Sequence, residues 1–252
     1  MQIAKYSANG NDFVIFHTED EKDYSSLAKE LCHRQDGIGA DGLIVIVPHD
    51  ECDFKWLFYN SDGSEAEMCG NGSRACAHYA YTRELAPQKM RFLTGAGVIN
   101  AAVEDDDQKS GMVLSELTPP LILDKEIEYN GKKWWLLNTG VPHLVCLQES
   151  VKKFDKEEAR ELRFKYNANV NICAKDGENL RVRTYERGVE DETLACGTGM
   201  AACFYRALQE NKVKESIEVY PTSGETLYLG VNERTITFKG RVVNTFNTEW
   251  EL

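Results

Sequence analysis

Two stretches of this sequence repeat one another at a fixed spacing, and that limits the fold more than any other feature. Glu65-Ala-Glu-Met-Cys-Gly-Asn-Gly-Ser-Arg-Ala-Cys76 matches Glu192-Thr-Leu-Ala-Cys-Gly-Thr-Gly-Met-Ala-Ala-Cys203. An offset of 127, the separation of Cys69 and Cys196, also superposes Ala80 on Ala207 and Gly97 on Gly224. The 33 positions from Glu65 to Gly97 hold eight identities, where average composition gives about two. The offset is half of the 252 residues, so the simplest reading is two similar domains around a pseudo-twofold axis. We read residues 1–116 plus 240–252 as the first domain and 117–239 as the second.

Each copy has the same local grammar. A turn-prone stretch, Asn60 to Ser64 or Glu186 to Glu190, precedes the cysteine, and two glycines follow it. Helix-forming runs come next, Arg74 to Leu85 and Met200 to Gln209, with Ala75, Tyr79, Ala202 and Leu208 as face candidates. Both runs are rich in alanine and aromatics nearly all round, as expected of a buried central helix. Strand-like segments precede them at Phe13 to Phe16, Gly42 to Val47 and Lys55 to Tyr59. Others follow at Met90 to Ala96, Val98 to Val103, Ile217 to Tyr220 and Arg234 to Phe238. The fold class expected is α+β, each half a curved, mainly antiparallel sheet wrapped around one long helix.

Charge and hydropathy narrow the function. A net charge of -12 argues against binding nucleic acid and against docking on anionic lipid. The run Glu104 to Asp107 reads as a solvated loop and not a metal site. Met1 to Phe16 lacks the apolar run of a signal peptide, and no stretch is long and apolar enough to span a bilayer. The chain is expected to be cytoplasmic, with its eight cysteines present as thiols. They form no CxxC pair and no zinc-like Cys/His spacing.

A thiol at a helix start meets unpaired N–H groups and the positive end of the helix dipole. Both favour thiolate. Bare glycines after it let a carboxylate reach those N–H groups. One Cys-Gly-x-Gly would mean little, because a buried cysteine is ordinarily a small apolar residue. Two copies brought together by a pseudo-twofold axis would surround one bound molecule with two thiols and two sets of donors. That suits stereoinversion alpha to a carboxylate: one thiolate removes a proton and the opposite thiol donates one. Cys76 and Cys203 are read as core packing.

The motifs are similar to those of the diaminopimelate epimerase family, nearly end to end. Lys5-Tyr-Ser-Ala-Asn-Gly-Asn-Asp-Phe13 and Arg34-Gln-Asp-Gly-Ile-Gly-Ala-Asp-Gly42 resemble its first two motifs. Asn60 to Ser64 with Met68 to Gly72, and Tyr185 to Gly188 with Ala195 to Gly199, resemble its two cysteine motifs. The resemblance implies interconversion of LL- and meso-diaminopimelate in lysine and cell-wall precursor synthesis, without pyridoxal phosphate or any other cofactor. It implies Cys69 and Cys196 as the two bases, with the amides of Gly70, Asn71, Gly197 and Thr198 on the reacting carboxylate. Asn11, Asn60, Asn171, Glu186 and Arg187 would read the distal amino-acid end, with His143 and Glu186 supporting the cysteines. Arg74 is read as a structural ion pair. The partner expected is a small amino acid; no metal is expected, and a homodimer is left open.

Three departures stand out. Gly140-Val-Pro-His143 replaces the family's Gly-Asn-Pro-His, Ala8 replaces a usual glycine, and Gly188 to Thr193 is one residue longer than usual. Other readings stay open at this point: a proline racemase-like enzyme, a binding protein for a small dicarboxylic amino acid, and a redox protein. The first would carry a histidine where Asn71 stands, and the last lacks its CxxC.

Overall fold

The computed structural model describes residues 1–233 and 235–251; Arg234, where a strand was expected to begin, and Leu252 lie outside the described residues. The chain divides into two compact units, Met1–Glu116 with Lys239–Leu252, and Leu117–Phe238. Lys239, read with the second domain, thus falls in the first unit.

The first unit contains β1 (Gln2–Ala8), β2 (Asn11–His17), α1 (Ser25–Cys32), β3 (Gly42–Val47), β4 (Phe54–Asn60) and α2 (Gly70–Thr82). It continues with β5 (Lys89–Thr94), β6 (Gly97–Asp106) and β7 (Ser110–Glu116). The strands neighbour one another in chain order. Pairs β2–β3 and β4–β5 are parallel, while β1–β2, β3–β4, β5–β6 and β6–β7 are antiparallel. A parallel neighbour needs a crossover, and α1 and α2 are those crossovers. The last strand, β16 (Thr235–Glu249), neighbours β7 and pairs back to β1. The strands of this unit therefore close on themselves.

Side-chain alternation explains β3, a continuous Gly-Leu-Ile-Val-Ile-Val run buried throughout. Ile44 and Ile46 face the cluster around α2, with Tyr6, Phe13, Trp56, Phe92, Ala75, Cys76 and Tyr79. Leu43, Val45 and Val47 face the cluster around α1, with Val14, Ala28 and Leu31. A strand covered on both faces has no polar side to show.

The second unit runs β8 (Leu121–Tyr129), β9 (Lys132–Asn138), β10 (Pro142–Gln148), α3 (Lys156–Tyr166), β11 (Asn169–Asp176) and β12 (Asn179–Glu186). Then come β13 (Asp191–Thr193), α4 (Gly197–Gln209), β14 (Ser216–Tyr220) and β15 (Leu227–Asn232). The succession from β9 onward is antiparallel β9–β10, parallel β10–β11, antiparallel β11–β12, parallel β12–β14, antiparallel β14–β15. That is the succession of β1 to β6, with α3 in the place of α1 and α4 in the place of α2. The duplication thus extends well beyond the cysteine motifs. The mixed α+β architecture is as expected, with parallel pairs at each helical crossover.

The central helices begin at Gly70 and Gly197, directly after the two cysteines, where a thiol at a helix start requires them, and ahead of the helix-forming runs from Arg74 and Met200. Glycine is costly inside a helix, and burial of the first turns outweighs that cost. Two expectations need correcting: α2 ends at Thr82, before Leu85, and the acidic run is not wholly a loop. β6 continues through Asp106, whose carboxylate meets His78 Nε2 at 3.0 Å, while Asp107 accepts from the Lys109 and Ser110 amides in the turn. Among the described residues no helix is long and apolar enough to cross a membrane.

Candidate active site

In the first unit, Cys69 is the N-cap of α2, with extended backbone and Sγ accepting from the Gly72 amide at 3.3 Å. The first-turn N–H groups have no partner within the helix, so a sulfur placed there is stabilised as thiolate. Asn71 is buried and donates to Asn11 Oδ1 at 2.8 Å, while its own Oδ1 accepts from Arg74. Arg74, expected in an ion pair, hydrogen-bonds oxygens around the cysteine: Asn9 Oδ1 at 2.6 Å, Asn71 Oδ1, and the Gly70 carbonyl at 3.4 Å. The structure thus brings Asn11, Asn71 and the Cys69–Gly70 turn together. It does not bond Asn60 to them; that amide donates to Ser64 Oγ at 3.0 Å.

The two opening motifs serve as scaffold for Asn11. Arg34 grips Asp12 through two nitrogens, at 3.1 and 3.0 Å, and reaches Asp41 at 2.7 Å. Lys5 adds a bond to Asp12 at 2.8 Å. Burial alone would raise the Asp12 carboxyl, but Arg34 and Lys5 outweigh it and hold it at about 2. Asp41 then accepts from Asn11 Nδ2 at 3.0 Å, which fixes that side chain. The sequence reading missed these charges because they act on a neighbour and not on a ligand.

In the second unit, Cys196 is the buried N-cap of α4. Its Sγ lies 3.7 Å from Thr198 Oγ1, and that hydroxyl lies 2.9 Å from His143 Nε2. His143 is fully buried on β10, and burial, with the charge of Arg187, pushes it down to about 3. Its Nδ1 meets Asn171 Nδ2 at 3.1 Å. Asn171 is itself fully buried and also bonds the Leu144 carbonyl and the Thr184 hydroxyl. The structure so joins Cys196, Thr198, His143 and Asn171 in one chain of contacts.

Glu186 ends β12 and accepts from Thr193 at 2.8 Å. Arg187 is held by its backbone, which donates to Asn169 Oδ1 at 2.8 Å, and by its guanidinium, which donates to the Asn167 carbonyl at 3.0 Å. Asn169 was not singled out from the sequence, yet it sits opposite His143 in the β10–β11 register. A second asparagine two residues before Asn171, hence on the same face of the strand, was the available signal. Burial pushes the Cys76 and Cys203 thiols well up, so they are neutral core groups. Among the described residues, no group of three or more His, Cys, Asp or Glu is arranged to hold a metal ion.

The family model for diaminopimelate epimerase matches residues 3–122 and 135–243. The chain belongs to the diaminopimelate epimerase family. A diaminopimelate epimerase from a Nitratiruptor species is 62% identical over 249 residues, covering 98% of each chain. That of Campylobacter lari is 52% identical over 253 residues, covering 100% of both. Among solved structures, a probable proline racemase from Agrobacterium radiobacter shares the fold at a TM-score of 0.78 and 13% identity, covering 100% of this chain and 93% of that one. A phenazine biosynthesis protein of the PhzF family from Bacillus anthracis shares it at 0.73 and 16%, covering 100% and 99%. These likenesses concern fold alone. In the turn after Arg187, Glu190 has a φ of 60°, in the left-handed region. Its carboxylate is bound there by Arg163 of α3 at 2.7 Å.

Proposed function

We propose that this chain is an isomerase that interconverts LL- and meso-diaminopimelate by proton transfer at the alpha carbon, using two cysteines and no pyridoxal phosphate. One observation carries the reading: the same arrangement occurs twice, a cysteine at the N-cap position before the glycine-rich start of a buried helix, Cys69 on α2 and Cys196 on α4. A single such cysteine would serve a nucleophile or a redox group. Two in equivalent places serve a reaction that needs one group to take a proton and a second to return one to the opposite face of the same carbon.

The hard step is removing a weakly acidic proton next to a carboxylate. First-turn N–H groups of Gly70, Asn71, Gly197 and Thr198 bind that carboxylate and stabilise the enolate-like charge as it develops. Arg187 takes the distal carboxylate through its two-pronged guanidinium, and Glu186, Asn11 and Asn60 take the distal ammonium. Asn171 has both halves of its amide bonded inside the protein, as Asn11 does; of the two, Asn171 also supports His143. Val141, where the family has asparagine, offers the substrate no hydrogen bond.

The activity would supply meso-diaminopimelate to lysine and cell-wall precursor synthesis in the cytoplasm. Whether the chain assembles as a homodimer is measured directly by sedimentation velocity. The test of function is to incubate purified protein with LL-diaminopimelate in deuterated water, with no cofactor added. Deuterium should enter the alpha position as the meso form appears. Folded protein that catalyses no exchange would overturn the assignment and leave a binding protein in its place.

A further inference from the structure

Arg74 lies fully buried just inside α2. At the repeat offset of 127 its equivalent is Ala201, so the start of α4 has no counterpart to it. The Arg74 guanidinium joins two separate segments. One is the turn between β1 and β2, where Asn9 and Gly10 hold positive φ of 49° and 91°, as a tight two-residue hairpin turn requires. Asn9 Oδ1 accepts from Arg74 at 2.6 Å. The other is the first turn of α2, where the Gly70 carbonyl and Asn71 Oδ1 accept. Asn11 opens β2 directly after the hairpin turn. Arg74 therefore ties the hairpin that carries Asn11 to the helix start that carries Asn71.

The bonds that run from Arg74 to Asp41 admit one direction only. A guanidinium can only donate, so the Asn71 atom facing it is the carbonyl oxygen. The amide nitrogen of Asn71 then faces Asn11, 2.8 Å from its oxygen. That leaves the amide nitrogen of Asn11 for Asp41, whose carboxylate accepts it at 3.0 Å. A cation at one end and an anion at the other fix both amides, because turning either would set donor against donor or acceptor against acceptor. We propose that Arg74 is a positioning residue for substrate recognition, acting through Asn71 on Asn11. An amide oxygen has two lone pairs; Asn71 takes one, and Asn11 Oδ1 keeps the other for the distal ammonium. The inference rests on the assignment of Asn11 to that ammonium. Asn71 then works at both ends of the substrate: its backbone N–H holds the reacting carboxylate, and its side chain aligns the residue that reads the far end.

A double-mutant cycle separates positioning from mere support. Isothermal titration calorimetry gives the dissociation constant of meso-diaminopimelate for wild type, Arg74→Lys, Asn11→Ala and the double variant. Lysine keeps the charge and loses the planar fork that holds Asn9 and Asn71 together. Arg74→Lys should weaken binding about fivefold or more, the loss of one well-directed hydrogen bond. With Asn11 already alanine, the same change should weaken it by less than about twofold. Equal weakening in both backgrounds makes Arg74 a structural residue and overturns the proposal, and so does unweakened binding in Arg74→Lys. Asn9→Gly serves where Arg74→Lys fails to fold: glycine keeps the positive φ of the turn and removes an oxygen that Arg74 holds. It should show the same dependence on Asn11, and equal effects in the two backgrounds again count against the proposal. Unchanged binding in Asn11→Ala alone overturns the proposal together with the assignment of Asn11 on which it rests. Alpha-proton exchange is read on the same samples. Wild type that binds with this pattern and exchanges nothing leaves the positioning role standing and sinks the epimerase reading.

Discussion

Gly72 and Gly199 are equivalents in the repeat, but a methyl group would meet different neighbours at each. At Gly72 the nearest atoms are Cys69 Cβ at 3.3 Å and Cys69 Sγ and Ile44 Cδ1 at 3.5 Å. At Gly199 a Cβ would lie 2.3 Å from Asn171 Oδ1, 3.2 Å from Thr184 Oγ1 and 3.3 Å from Cys196 Sγ. Gly72→Ala should therefore cost under about 1 kcal/mol, since alanine's better helix propensity offsets slight crowding. Gly199→Ala should cost about 1–3 kcal/mol of overpacking and disturb Cys196 as well; denaturant unfolding of the two variants measures the contrast, and equal losses would contradict it. Cys69→Ala and Cys196→Ala should each fold and each lose nearly all epimerisation, since a two-base reaction has no spare acid or base. Retention of about a tenth of the rate, only about 1.4 kcal/mol of barrier, would break the assignment. Cys69 and Cys196 stood out because each is duplicated and opens a Cys-Gly-x-Gly helix start, whereas Cys76 and Cys203, also duplicated, fall within the helices. The burial of Asn171 and its bonds to His143, Leu144 and Thr184 could not be read from the sequence, because an asparagine in a motif fits a ligand and a support equally well. Asp12, Arg34 and Asp41 were recognisable as motif residues, but their role lies in the contacts of three separate segments.

Helix α3 shows how an unremarked element can hold a site. Its start was readable: Asp155 accepts from the Glu157 and Glu158 amides, and Asn167 ends it in the left-handed conformation. Three contacts tie it to the turn that carries Arg187. Lys156 pairs with Asp191 at 2.6 Å, Arg163 with Glu190 at 2.7 Å, and the Asn167 carbonyl accepts from Arg187. The Lys156–Asp191 pair is exposed and the Arg163–Glu190 pair partly so; ion pairs at the surface add little stability, so their effect should appear in substrate binding. Arg163→Ala should leave the unfolding midpoint nearly unchanged while raising KM for diaminopimelate several-fold, with kcat less affected. Steady-state kinetics decide it: a fall in kcat with KM unchanged would mean that the turn does not set Arg187. By contrast, the helix-forming runs read from Arg74 and Met200 leave out Gly70, Gly72, Gly197 and Gly199, which helix propensity alone would exclude. A buried first turn with cysteine as its cap is a tertiary arrangement that local propensity does not record.

At the scale of the whole chain, acid should unsettle each unit through a different group. His143 has its folded value held at about 3 against an ordinary value of about 6.5. The unfolded chain takes up that proton first, so stability is full above about pH 6.5 and falls toward about pH 3, by up to several kcal/mol. Asp12, at about 2 in the fold, contributes about 2 kcal/mol above its unfolded value near 3.8 and loses it between there and about pH 2. Urea unfolding at pH 7.5, 5.5 and 4 should show a decline that is shallower in His143→Gln; parallel declines would remove His143 from the explanation. The repeat announced the duplicated architecture, because one half predicts the other. It did not announce that β16 completes the first unit, since the whole of the second unit, Leu117–Phe238, intervenes. That interruption bears on synthesis. A ribosome delivers the second unit whole and unbroken before it delivers the strand that joins β7 to β1. The first half of the nascent chain must wait through that interval with two raw strand edges, and holding them apart from other chains is a task for whatever meets it at the tunnel mouth.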